Sequence, residues 1–103
     1  MSELRAIWKF PIPAQRAGVI LMPAGAEVLS TAVQAATIND PEQVVVWALV
    51  RPASPKVEHG FLALETGEEI EAIFIGQAKK FVGTVTLRGQ YVLHVFDFGE
   101  NPA

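Results

Sequence analysis

The sequence predicts an all-β domain, mainly antiparallel, built as a compact sandwich or a partly open barrel of about six or seven strands. Three observations carry this. Short apolar runs, alternating or continuous, recur along all 103 residues; β-branched and aromatic residues concentrate in them; and proline- or glycine-marked turns separate them. The length fits a single small β domain, residues 1–103, since a chain of this size buries roughly two-thirds of its unfolded surface around one core.

The elements follow in order. "AIWKF" (6–10) alternates so that Trp8 and Phe10 share a face, the period-two pattern of a half-buried strand, and the prolines of "PIP" end it. "GVILM" (18–22) is a second strand, closed by the "PAG" turn. "AEVLSTAVQAATI" (26–38) sets Leu29, Thr31, Val33 and Ala35 on one side. Val28, Ala32, Ala35 and Ala36 also fit a helical stripe, but the run opens on a turn and carries five β-branched residues, which favours strand. "NDPEQ" is a loop, and "VVVWALV" (44–50) is the strongest strand, apolar on both faces as a central strand would be. After "RPASPK", the run "VEHGFLALE" leads into Thr66-Gly67, read as a hairpin tip. "EEIEAIFIGQAKK" (68–80) carries Ile70, Ile73 and Phe74 at helical spacing around an interrupting Gly76, and is read as irregular or as one short helix near 68–78.

The clearest hairpin is the C-terminal one, "KFVGTVTL" and "QYVLHVFDF" around Arg88-Gly89. A two-residue turn sets His94 opposite Gly83 and Lys80 opposite Asp97; a type I turn with Gly89 as a left-handed bulge sets His94 opposite Val82. Arginine is a poor residue for the positive φ that the first turn demands, so the bulged form is favoured. In it Phe81, Gly83 and Val85 join Tyr91, Leu93 and Val95 on the core face, and His94 shares the other face with Val92, Phe96 and Thr84. The expected core is Trp8, Phe10, Leu29, Val33, Val45, Trp47, Leu49, Leu62, Phe81, Val85, Leu93 and Val95.

Composition excludes several functions. The formal net charge is −3, and the eight Lys and Arg residues are dispersed, so there is no basic stripe to release counterions from a phosphate backbone and no nucleic-acid partner is expected. The absence of cysteine removes disulfides, thiolate catalysis and Cys-type zinc sites. No signal-peptide pattern opens the chain and no run of eighteen apolar residues occurs, so a cytoplasmic protein without a membrane partner is expected. Hydrophobic residues make up 50% and charged residues only 18%, below the roughly 25% usual for soluble domains. Apolar area must then reach the surface, which points to a homo-oligomer, with a two-fold dimer favoured, and to a protein partner. The candidate interface is Val92, His94, Phe96 and Phe98, the residues left over when Leu93 and Val95 fill the core.

No catalytic constellation is legible. A working histidine needs a positioned nucleophile or acid and an orienting carboxylate, and neither can be placed beside His94, which reads as a framework imidazole satisfied on a sheet. His59, His94 and Glu58 lack local metal-ligand spacing, and Glu65, Glu68, Glu69 and Glu71 read as a solvated turn. No catalytic residue, metal ligand or cofactor is therefore expected.

Four ordered motifs carry a resemblance: "AIWKFPIP", "MPAGAEVLSTAVQ", "VVWALVRP" and "FVGTVTLRGQYVLHVFDF". Together, from about Ile7 to Phe98, they resemble a family of small phage, prophage and bacterial proteins, a domain of unknown function. The resemblance implies a phage or prophage origin and brings no activity, cofactor or catalytic residue with it. Two functions are compatible with these readings. One is a non-enzymatic accessory module that self-associates and binds a protein partner; the other is a counter-defence protein that sequesters a small ligand, such as a nucleotide signal.

Overall fold

The computed structural model describes residues 3–13, 17–35 and 37–101. Its strands are β1 (Ala6–Ile12), β2 (Ala17–Pro23), β3 (Glu27–Gln34), β4 (Gln43–Val50), β5 (Lys56–Glu65), β6 (Lys80–Leu87) and β7 (Tyr91–Glu100). A single helical turn, α1 (Ala72–Ile75), lies between β5 and β6. All pairings are antiparallel: a three-stranded sheet has the order β1-β4-β3 and a four-stranded sheet the order β2-β5-β7-β6. The two sheets enclose one apolar layer without closing into a barrel, which makes the domain the sandwich of the two expected architectures.

That layer is built mostly from small β-branched side chains. Val44, Val46, Ala48 and Val50 of the central strand β4 point inward beside Ile12 and Val28, and Met22, Phe61, Val85, Leu93 and Val95 meet them from the other sheet. The choice of inward face on β4 is the first correction to the expected core. Sheets stacked about 10 Å apart accept Val and Ala more readily than an indole, so Trp47 and Leu49 lie on the opposite face, half-buried, in line with the buried Val45. Trp8, on the edge strand β1, stays partly exposed, and Leu29 turns out of the core at a β-bulge between Val28 and Ser30.

Two further expectations change. The third strand stops at Gln34 rather than running to Ile38, because Thr37 starts a turn: its hydroxyl accepts the Asn39 N–H at 3.2 Å and its carbonyl accepts the Asp40 N–H at 3.1 Å. Ala36, part of the alternative helical stripe, lies outside the described residues. Thr66-Gly67 does form a turn, with the Glu68 N–H on the Glu65 carbonyl at 3.0 Å, but the next element is α1 rather than a strand, so β5 pairs with β2 and β7 instead of folding back as a hairpin.

The C-terminal hairpin forms in neither of the two expected registers. Arg88 and Gly89 both adopt positive φ, 54° and 68°, and the Gln90 N–H closes the turn on the Leu87 carbonyl at 3.1 Å. The strain that disfavours arginine here is offset by Glu42, whose carboxylate accepts the Arg88 N–H at 2.5 Å. Leu87 pairs with Tyr91, which puts His94 opposite Thr84. A bulge at Val82 then restores Lys80 opposite Asp97 and turns Phe81 out of the core, opposite Phe96. At Gly83 the two sheets approach closely: a Cβ there would stand 3.0 Å from the Thr31 methyl of β3.

Arg88→Asn keeps the backbone N–H that Glu42 accepts and replaces a residue strained at this φ by one that tolerates it. The expected result is a gain of about 0.5 kcal/mol. Thermal melts of the two proteins check it; a lower melting temperature for the variant would refute the strain.

Candidate functional site

The outward side of the four-stranded sheet carries the site. Strand alternation on β7 places Val92, His94, Phe96 and Phe98 there, so the structure does bring the four expected interface residues onto one face. Other elements add residues that periodicity along β7 could not reveal. Leu62 and Leu64 of β5 lie beside Phe96 and His94, Val19 and Leu21 continue the face across β2, and Phe81 joins it through the Val82 bulge. Phe81 packs on Phe96, ring centroids 5.3 Å apart and tilted by 58°, while remaining 54% exposed. From above, Phe74 of α1 tilts against Phe98 at 5.3 Å. A cavity of about 440 Å³ opens between them, lined by Val19, Gly60, Phe61, Leu62, Phe74 and Phe98 among others, and none of its described lining residues is Lys or Arg.

His94 sits within this face between two threonines. Its Nε2 is 2.8 Å from the Thr66 hydroxyl and its Nδ1 2.9 Å from the Thr84 hydroxyl. A hydroxyl donates or accepts as required, so both ring nitrogens are satisfied in either neutral tautomer. The imidazole bridges β6, β7 and the turn after β5.

The second histidine behaves differently. His59, 2% exposed, lies on the inner face of β5, where it stacks on Phe61 at 5.1 Å, and its Nε2 is 2.6 Å from Asp97 Oδ1. With the carboxyl ionised, Nε2–H is the donor. The same oxygen accepts the Gly99 N–H at 2.7 Å, and Asp97 is itself only 6% exposed. Burial alone would raise the Asp97 pKa, but the hydrogen bonds from His59 and Gly99 and the favourable field of His59 and Lys80 outweigh it and hold the carboxyl below its ordinary value. His59 Nδ1 is buried with no partner among the described groups.

The sequence reading missed this pair, although a signal existed. Asp97 falls inside the apolar run "VFDF", and an ionisable group on a core-facing strand must find a partner; Lys80 and the two histidines are the cross-strand candidates. The sheet separates the two histidines, His59 inside and His94 outside, so they do not converge with Glu58 on a common site. Among the described residues no three acidic or histidine side chains are placed to hold a metal ion. In the acidic turn, the Glu68 carboxylate accepts the Glu65 N–H at 3.0 Å. No helix among the described residues is long and apolar enough to cross a membrane.

A family model described as Domain of unknown function (DUF7352) matches residues 4–102, so the chain belongs to that family. Searches of the curated proteins and of the solved structures give no significant match.

Two outcomes follow from the histidines. Because the Asp97 pKa is lower folded than unfolded, the pair's stabilisation is complete above the unfolded carboxyl value of about 3.9 and is lost as pH falls through the folded value. Urea midpoints measured from pH 7 down to pH 2.5 are expected to fall less steeply for Asp97→Asn than for wild type, with the variant already about 3 kcal/mol less stable at pH 7. Parallel profiles would refute the coupling. For His94→Gln, which keeps an amide able to reach one threonine, the expected cost is about 1 kcal/mol by the same assay; a loss beyond about 3 kcal/mol would show a larger role.

Proposed function

We propose that this family member is a non-enzymatic interaction module, a phage or prophage accessory protein of the bacterial cytoplasm that self-associates and presents the outer face of its four-stranded sheet to a protein partner. One observation carries the reading. Val19, Leu21, Phe74, Phe81 and Val92 are exposed on or over that face, next to the half-buried Phe96 and Phe98, although Phe61, Leu93 and Val95 of the same sheet fill the core on its other side. Exposed apolar side chains grouped on one face of a sheet in this way mark contact sites.

The histidines support the non-enzymatic part. Among the described residues His59 and Asp97 form the one dyad with the chemistry of a general base and its orienting carboxylate, and both are shielded from any substrate of the solvent phase. His94 is reachable, but its nitrogens are taken up by threonine hydroxyls rather than by a nucleophile or a carboxylate. The sequestering alternative draws less support, since the described lining of the cavity offers aromatic and aliphatic walls and no cation to meet nucleotide phosphates.

The test pairs the face with the fold. The double variant Phe81→Glu/Val92→Glu places charge on two exposed positions and is expected to retain the wild-type melt within a few degrees while losing partner capture from host lysate. Retention of the same captured protein by the variant would refute the face as the binding surface.

A further inference from the structure

The four edge strands of the sandwich are not equally protected. An edge presents unpaired backbone N–H and C=O groups to any passing strand, and soluble proteins blunt it with charge, proline, bulges or cover. On one side of the sandwich, β3 and β6 cover each other: Gly83 lies against Thr31, and the Lys80 ammonium donates to the Val28 carbonyl across the gap between sheets. Both strands are also bulged, at Leu29 and at Val82. On the other side, β1 carries Lys9 and, within the strand, Pro11, which has no N–H to offer.

Beyond Pro13, which packs over Gly18 at the start of the strand, β2 shows none of these devices among the described residues. Its sequence, AGVILMP, contains no charge, and its one proline is the last residue. Its pairing with β5 runs without a shift from Ala17 opposite Leu62 to Pro23 opposite Lys56, so the strand is regular and has no bulge to turn it away. Among the described residues no strand pairs with its second edge. Val19 is 48% exposed and Leu21 59%, although both are large aliphatic side chains at the margin of the apolar face.

We infer that β2 is a dimerisation edge, and that its occupant is β2 of a second copy of this chain, added antiparallel to give one continuous eight-stranded sheet. The inference rests on the self-association already proposed and names the strand through which it occurs. A second copy fits for three reasons. The edge is uncharged, so two copies meet without repulsion. With Ile20 on the two-fold axis, Val19 of each chain lies directly opposite Leu21 of the other, pairing the two exposed aliphatics on the same face. The two-fold operation also brings both apolar outer faces onto the same side of the joined sheet, continuous through the new strand pair.

The test uses all 103 residues of the sequence, which contain no cysteine. Wild type, Leu21→Lys and Phe81→Glu/Val92→Glu are compared by sedimentation, and Val19→Cys/Leu21→Cys is air-oxidised and run on a denaturing gel. The expected results are a wild-type dimer, a dissociation constant raised by about tenfold or more in Leu21→Lys, no comparable change in the face variant, and a disulfide-linked dimer of the cysteine pair that thiols reverse. A dimer that ignores Leu21→Lys and leaves the cysteines unlinked overturns edge pairing while self-association stands. A wild type that stays monomeric at high micromolar concentration overturns both.

Discussion

A carboxylate on the inner face of a sandwich is tolerated only where hydrogen bonds and nearby positive charge replace its water, and Asp97 meets that condition through groups drawn from three strands. His59 of β5 donates to it, Gly99 donates from its own strand, and Lys80 of β6 lies opposite it. Its backbone carbonyl also accepts the Lys79 N–H at 2.7 Å, which ties down the entry to β6. Satisfying all of these requires the break in register at Phe98, where Gly99 takes a φ of 79° and Glu100 comes opposite His59. Glu100 in turn accepts the Gly25 N–H at 2.5 Å in the turn between β2 and β3. One buried charge thereby sets the pairing of three strands and reaches the connection to the other sheet, and the same bulge leaves Phe98 outside, under Phe74.

Where the chain turns was legible in the sequence; which way each strand faces was less so. All seven strands occur where apolar runs lie between proline or glycine signals, and the short helix falls within 68–78, because both patterns are local. Inward parity is not local when a strand is apolar on both sides. On β4 the valines and the tryptophan compete for the interior, and the spacing between sheets decides for the valines. Arg88 failed as an indicator for a similar reason: its own preference points away from positive φ, and the contact that overrides it comes from Glu42, 46 residues earlier.

The candidate face shows the same division. Period two on β7 groups Val92, His94, Phe96 and Phe98 correctly, since alternation survives along one strand as far as the bulge. Phe81 escaped because a single extra residue at Val82 reverses its side. Val19, Leu21 and Phe74 escaped because only the sheet order β2-β5-β7-β6 and the packing of α1 bring them alongside. His59 and Asp97 are 38 residues apart and were unreadable as a pair until β5 and β7 were known to be neighbours.

The two sheets divide the labour of the domain. The three-stranded sheet buries the inward side of β4 and guards its free edge with Lys9 and Pro11. The four-stranded sheet holds the buried His59–Asp97 hydrogen bond inside and leaves both exposed apolar side chains and, among the described residues, an unpaired edge outside. These last two features belong to one surface, because Val19 and Leu21 are at once the exposed side chains of the edge strand and the margin of the face. The proposed partner binding would draw on this inner layer: with β5, β6 and β7 held in register through Asp97, the aromatic residues outside have a fixed backbone beneath them, which lowers the ordering cost such binding would have to meet.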